Sequence, residues 1–218
     1  MRTKSQERWL QWFNKTLYDR LAPAYGALEW LTLGAWWRLV RRALDYVPAQ
    51  GRVLEVGFGP GKLHVALART VQQAYGVDLG WGMCRLAQRR LERAHLPRRL
   101  ARGSVYTLPY PDGAFDTTVS TFAFSGFRDA ERAMQEMARV TAPGGRLVLV
   151  DIGLPRDGNR LGTFLARLWD RMGDFLYDLP GMMRSEGLDV VEFEEFGPGK
   201  HIRVMAAQKP GESQRLTV

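Results

Sequence analysis

Between positions 51 and 208, short apolar runs alternate with longer stretches whose apolar residues recur every three or four positions. The runs near 52–56, 73–77, 99–103, 115–121, 146–151, 188–196 and 201–208 have the length and branched apolar content of strands. The stretches near 61–70, 81–94, 129–141 and 159–172 follow the helical period, and a shorter one lies around 180–186. Regular alternation of strand and helix predicts an α/β domain, a seven-stranded and mostly parallel sheet with helices on both faces. Gly197-Pro198-Gly199 joins the last two runs without a helix, which predicts an antiparallel C-terminal hairpin. Pro143-Gly144-Gly145 reads as a helix stop and a turn into a strand from Arg146 to Asp151.

Upstream of this alternation the pattern changes. Residues 5–20 form an amphipathic helical pattern with Trp9, Leu10, Trp12, Phe13 and Leu17, accompanied by Arg2, Lys4, Arg8, Lys15 and Arg20. A second aromatic segment carries Tyr25, Trp30, Trp36 and Trp37, so five of the seven tryptophans fall in the first 37 residues. Arg38, Arg41 and Arg42 sit on the helix leading into the first strand. Such helices either cap the sheet and bury their aromatics or form a lid whose basic-aromatic face meets lipid, and the two roles are compatible. The expected organisation is an N-terminal helical cap over 1–47 and an α/β domain over 48–209. A helical insert at 155–187 lies near the substrate side, and a polar tail covers 210–218.

Composition narrows the class. At 218 residues, 45% hydrophobic and 25% charged, the chain suits one substantial domain with a terminal extension. A single cysteine, Cys84, leaves no internal disulfide and no multi-cysteine zinc site, and no metal is expected. The opening residues lack the apolar core of a signal peptide, and Leu21–Trp37 is too short and interrupted for a membrane span. The expected location is cytoplasmic, with peripheral membrane association through the N-terminal helices as the open alternative. The net charge of +8 comes almost wholly from arginine, since lysine occurs only at 4, 15, 62, 200 and 209. A basic surface suits nucleic acid, anionic lipid or acidic substrates, and a general preference for arginine explains it equally well.

The densest chemistry lies at Leu54-Glu55-Val56-Gly57-Phe58-Gly59-Pro60-Gly61 and, beyond the next helix, Asp78. Gly57, Gly59 and Gly61 permit a tight turn and close approach of a ligand to the backbone. The helix that follows offers unpaired N–H groups at its start. Asp78, at a strand tip, can accept hydrogen bonds from two ribose hydroxyls. A dinucleotide fingerprint needs G-x-G-x-x-G; this loop is G-x-G-x-G after an acid, with Lys62 and Leu63 where the third glycine would stand.

That pattern resembles the first motif of class I S-adenosyl-L-methionine-dependent methyltransferases, which have a Rossmann-like sheet. The stretch from 51 to 155 is similar to the family of the ubiquinone and menaquinone biosynthesis methyltransferases. Beyond the glycine block and Gly76-Val77-Asp78 with Met83, the resemblance rests on Leu108-Pro109-Tyr110-Pro111-Asp112-Gly113-Ala114-Phe115-Asp116 and on Met137 to Arg146. Tyr18-Asp19-Arg20-Leu21-Ala22-Pro23-Ala24-Tyr25 also resembles the entry segment of this group and of bacterial phospholipid N-methyltransferases. The resemblance implies S-adenosyl-L-methionine as cofactor and S-adenosyl-L-homocysteine as product. Gly57, Phe58, Gly59 and Gly61 would pack on the methionine and ribose, with Glu55 beneath the loop. Asp78 would hold the ribose hydroxyls, Leu79 and Met83 would lie on the adenine, and Tyr18 or Tyr25 would close over the cofactor. Where the group often has an acid after Gly103 to reach the adenine amino group, this chain has Ser104, so that contact weakens or passes to the backbone of Val105.

Ser120-Thr121-Phe122-Ala123-Phe124-Ser125 ends the fourth strand, where this fold presents the transferred methyl. It lacks the Asn/Asp-Pro-Pro-aromatic run of enzymes that methylate bases or glutamine, and Cys84 lies on the wrong helix for cytosine C5 chemistry. Nucleic acid is therefore a disfavoured partner, and the mouth fits a small or lipidic acceptor, a phospholipid amine or a quinol. Methyl transfer needs alignment and exclusion of water more than acid–base groups. If a base acts, the candidates are His201, Tyr25 and Asp151, with Tyr177 and Asp178 comparable, while His64 reads as a packing residue and His95 as solvent-exposed. An RNA methyltransferase and a non-catalytic cofactor-binding module are the rival functions. Oligomeric state is not legible.

Overall fold

The computed structural model describes residues 35–211. The helical pattern of 5–20, the Tyr18–Tyr25 segment, Trp30 and most of the polar tail lie outside the described residues. The chain enters through helix α1 (Ala35–Val40), which tightens into a 3₁₀ turn over Arg41–Tyr46. Alternation then follows the expected order: β1 (Arg52–Val56), α2 (Lys62–Thr70), β2 (Gln73–Asp78), α3 (Trp81–Arg93), β3 (Leu100–Arg102) and β4 (Phe115–Thr121). The second half holds α4 (Ala130–Val140), β5 (Thr141–Ile152), α5 (Arg160–Met172), α6 (Leu179–Ser185), β6 (Asp189–Phe196) and β7 (Ile202–Gln208).

The seven strands lie in the order β3-β2-β1-β4-β5-β7-β6, and β7 runs antiparallel to both β5 and β6. Strand alternation sorts the core onto two faces. Leu54, Val56, Leu147 and Leu149 join Met134 and Met137 of α4 on one side. Val53, Val119, Val148 and Val150 join Leu63 and Leu67 of α2 on the other. The chain moves outward from β1 to β3 on one side and restarts at β4 on the other. The crevice between the carboxyl ends of β1 and β4 is thus the topological switch point, where open α/β sheets bind ligands.

One boundary differs from the pattern-based expectation. Strand β5 begins at Thr141, not Arg146, because Phe115 pairs with Thr141 while Thr117 pairs with Arg146. Pro143-Gly144-Gly145 therefore bulges out of a continuing strand. Gly144 supplies the left-handed backbone, φ 75°. Gly145 supplies closeness, since a Cβ there would stand 2.8 Å from the carbonyl oxygens of Ala142 and Asp116.

The contact between 108–112 and α4 explains two of the sequence blocks. Glu136, 4% exposed, accepts the Leu108 N–H at 2.7 Å. Arg139 donates to the Tyr110 and Leu108 carbonyls at 2.9 and 3.2 Å and to Asp112 at 2.7 Å, and it pairs with Glu136. Those charge-assisted bonds hold the Glu136 carboxyl below its ordinary range. These motif residues set the fold around the crevice and do not face it.

Candidate active site

The loop after β1 turns on three left-handed glycines, Gly57 (φ 73°), Gly59 (φ 52°) and Gly61 (φ 80°). Two are also sterically required. A Cβ on Gly57 would stand 2.6 Å from the Ala123 Cβ, and one on Gly61 would stand 2.5 Å from the Ala87 Cβ. Gly59 differs, because a Cβ there meets nothing within 4 Å. Its backbone borders open space in the crevice, the geometry a ligand lying along the loop requires.

Asp78 ends β2 beside this loop. Its carboxylate oxygens accept the Gly59 N–H at 2.8 Å and the Gly80 N–H at 2.7 Å. The carboxylate thus ties the loops after β1 and β2 together at the edge of the crevice. Gly103 donates to the Asp78 carbonyl at 3.0 Å, which brings the end of β3 alongside. There Ser104 caps the following turn, its Oγ accepting the Tyr106 N–H at 3.2 Å. Val105 and Met83 are buried, whereas Leu79 is 63% exposed.

Two residues near the loop face inward. Phe58, 4% exposed, packs with Cys84 and Ala87 between α2 and α3, so its side chain turns away from the crevice. Glu55 is 1% exposed, and its Oε2 lies 3.0 Å from Nδ1 of the equally buried His64. Burial pushes the Glu55 carboxyl up, and the His64 contact opposes it. The pair props the loop from below. His64 is thus a packing residue with a specific polar partner, which its helix position alone does not disclose. Cys84 is buried and its thiol is pushed up to about 11, chiefly by burial. That leaves it unsuited to nucleophilic work.

The mouth lies where β4 ends. Thr121 is half-buried there, and Phe122 adopts φ 50°, a left-handed backbone that aromatic residues rarely take. Its N–H donates to the Val150 carbonyl at 2.8 Å, and its ring sits 4.3 Å from that of Trp36. Trp36 in turn lies 6.1 Å from Trp169 of α5. Sequence gives no sign of the backbone at Phe122, because nothing in a phenylalanine advertises positive φ. It also leaves Trp169, far along the chain, unconnected to Trp36.

The acid–base candidates separate. Asp151, 1% exposed, accepts the Ser125 N–H at 2.9 Å and the Ile152 N–H at 2.8 Å. Burial raises its carboxyl to about 6 against those two donors. Ser125 Oγ donates to Asp174 at 3.1 Å, and burial raises the Asp174 carboxyl also. His201, 6% exposed, places Nδ1 2.6 Å from the Pro198 carbonyl, so Nδ1 carries the proton and the ring is bound into the hairpin loop. The Tyr177 hydroxyl donates to the Phe127 carbonyl at 2.6 Å and is pushed up to about 12 by burial. Asp178 caps α6 through the Gly181 N–H. Tyr18 and Tyr25 lie outside the described residues. The sequence missed Asp174, which nothing but its fold neighbours marks.

A glycine loop after β1, a carboxylate at the tip of β2 and this strand order together define a class I S-adenosyl-L-methionine-dependent methyltransferase. Comparison with known proteins narrows the class. Residues 54–149 match the family described as methyltransferase domain. Over 147 residues the chain is 37% identical to the demethylmenaquinone methyltransferase of Thermus thermophilus, covering 65% of this chain and 67% of that protein. Over 188 residues it is 27% identical to the 2-phytyl-1,4-naphtoquinone methyltransferase of Trichormus variabilis, covering 78% of this chain and 82% of that protein. The chain belongs to this family of methyltransferases. It spans 67% of the length of the Thermus relative and 61% of that of the Deinococcus radiodurans counterpart. A solved S-adenosylmethionine-dependent methyltransferase from Thermotoga maritima superposes with a TM-score of 0.68 at 19% identity, covering 90% of this chain and 99% of that one, which shows the shared fold.

Proposed function

We propose that the chain methylates a quinol-like, lipidic aromatic acceptor. The observation that carries this reading is the aromatic mouth at the end of β4, where Phe122 is held in a strained backbone against Trp36. A flat apolar ring is the acceptor such a wall suits, by stacking and by excluding water. The naphthoquinone substrates in the relatives' names support the same class. When bound, S-adenosyl-L-methionine supplies an electrophilic methyl group on a sulfonium.

The chain's own residues would do the rest. The Gly57–Gly61 loop and Asp78 orient the cofactor, and Leu79 covers its adenine. Phe122 and Trp36 align the acceptor ring. Transfer to carbon forms a C–C bond, breaks the S–C bond and releases one proton from the acceptor. Asp151 positions Ser125 through its backbone N–H, and the Ser125 Oγ–Asp174 pair would take that proton. Tyr18 and Tyr25 remain proposed lid residues.

The test is methyl transfer from labelled S-adenosyl-L-methionine into a reduced naphthoquinol, phosphatidylethanolamine vesicles and RNA. Label in the quinol, and none in the oxidised quinone, is the expected result. Label in the aminolipid or RNA alone would overturn the reading. Phe122→Ala should raise the acceptor KM roughly tenfold or more through lost ring burial while leaving cofactor affinity within about twofold.

A further inference from the structure

Of the large apolar residues that stand exposed among the described residues, Leu154, Leu161, Phe164, Leu168 and Met172 cluster in one short stretch of chain. Four of them belong to α5 and recur at three- and four-residue spacing, so they form one outward line along the helix. Arg160, Arg167 and Arg171, all exposed, form the adjacent line. The opposite face carries the small buried residues Gly162 and Ala166. Gly162 lies so close to Gly199 of the hairpin loop that no side chain fits between them. The helix is therefore anchored by its small face, and the apolar line is not needed to hold it.

From this arrangement we propose that α5 docks the protein onto an anionic lipid surface. Leu161, Phe164, Leu168 and Met172 would enter the acyl boundary, while the three arginines meet the phosphate headgroups. Charge selects this occupant over two others. Residues 1–34 carry Arg2, Lys4, Arg8, Lys15 and Arg20 against Glu7, Asp19 and Glu29, so that segment is itself basic and offers the arginines no complement. A second copy of a chain with net charge +8 is a poorer partner still. Nucleic acid would satisfy the arginines and leave four apolar side chains in water.

Position adds to the argument and rests on the proposed lipidic acceptor. Asp174 and Phe175, directly after α5, bond Ser125 at the mouth, the Phe175 N–H donating to the Ser125 carbonyl at 2.8 Å. Docking along α5 would set the mouth at the membrane surface, from which an apolar acceptor enters without crossing water.

The test is co-sedimentation of the full chain with equimolar phosphatidylglycerol–phosphatidylcholine vesicles and with phosphatidylcholine alone. Binding to the anionic vesicles is expected, with a loss of roughly tenfold or more in Phe164→Asp/Leu168→Asp and in Arg160→Glu/Arg167→Glu/Arg171→Glu. Both variants should keep the wild-type melting temperature and cofactor affinity. Several outcomes overturn the proposal: no wild-type binding, binding that both variants retain, or an apolar variant that melts several degrees lower, which would mean that residues 1–34 or a second copy cover the line. RNA binding lost only in the arginine variant, without vesicle binding, would overturn it too. Transfer to a detergent-dispersed quinol, measured alongside, reports on the acceptor reading separately.

Discussion

At Gly61 two demands coincide, a left-handed φ of 80° and a neighbour 2.5 Å from any added Cβ. Gly61→Ala should destabilise the protein by about 1–3 kcal/mol, since α2 and α3 must separate to admit the methyl group. Thermal denaturation checks this. Gly59→Ala meets no neighbour, so its stability cost should be only the left-handed strain of about 1–2 kcal/mol, with a larger loss of cofactor affinity. Asp78→Asn is isosteric but turns an NH2 toward one of the two loop N–H groups, so it loses one strong acceptor and half of the loop staple. Titration calorimetry should show S-adenosyl-L-homocysteine binding weakened by about tenfold or more. Asp151 has a folded-state pKa raised from 3.8 to about 6, so its protonated form is favoured by folding. Its contribution is full below the ordinary value and is lost as pH rises through about 6. Relative to Asp151→Asn, wild type should therefore lose stability across that window and change little above it, as urea titrations at several pH values would show.

At the scale of elements, α4 and the 108–112 loop are joined by the paired side chains of Glu136 and Arg139. Glu136→Gln leaves Arg139 without its buried partner and should cost about 1–3 kcal/mol. The sign of its pH dependence is opposite to that of Asp151. A carboxyl held below its ordinary value of 4.5 contributes stability above that value and loses it as pH falls through the lowered one. The gap between wild type and Glu136→Gln should accordingly narrow as pH falls below the ordinary carboxylate range, and a gap that does not narrow at all on acidification would show that packing, not charge, sets it. The two motif blocks that carry much of the family resemblance are thus structural at this contact. Helix α5 is the contrasting element, tightly anchored on one face and, among the described residues, exposed on the other.

At the scale of the molecule, the crevice between β1 and β4 couples ligand binding to stability, because its walls come from both halves of the sheet. S-adenosyl-L-homocysteine at a hundred times its Kd should stabilise the fold by about 2.7 kcal/mol, which in a domain of this size raises Tm by roughly 5–11 °C. NADH at the same concentration should raise it by nothing measurable. A shift with NADH and none with the homocysteine product would contradict the class. Among the described residues no helix is long and apolar enough to cross a membrane.

The α/β class, the strand and helix positions and the glycine loop with Asp78 were legible in the sequence because each rests on local patterning. Apolar period separates strand from helix, glycine marks positive φ, and an acid at a strand tip needs no distant partner to be noticed. Pro143-Gly144-Gly145 has the local signature of a simple turn, and only pairing with β4 reveals that the strand continues through it. The inward turn of Phe58, the Glu55–His64 prop, the Ser125–Asp174 bond and the left-handed Phe122 belong to the tertiary structure alone. Each depends on which residues distant in sequence become neighbours. Long-range packing decides that, and no local period records it.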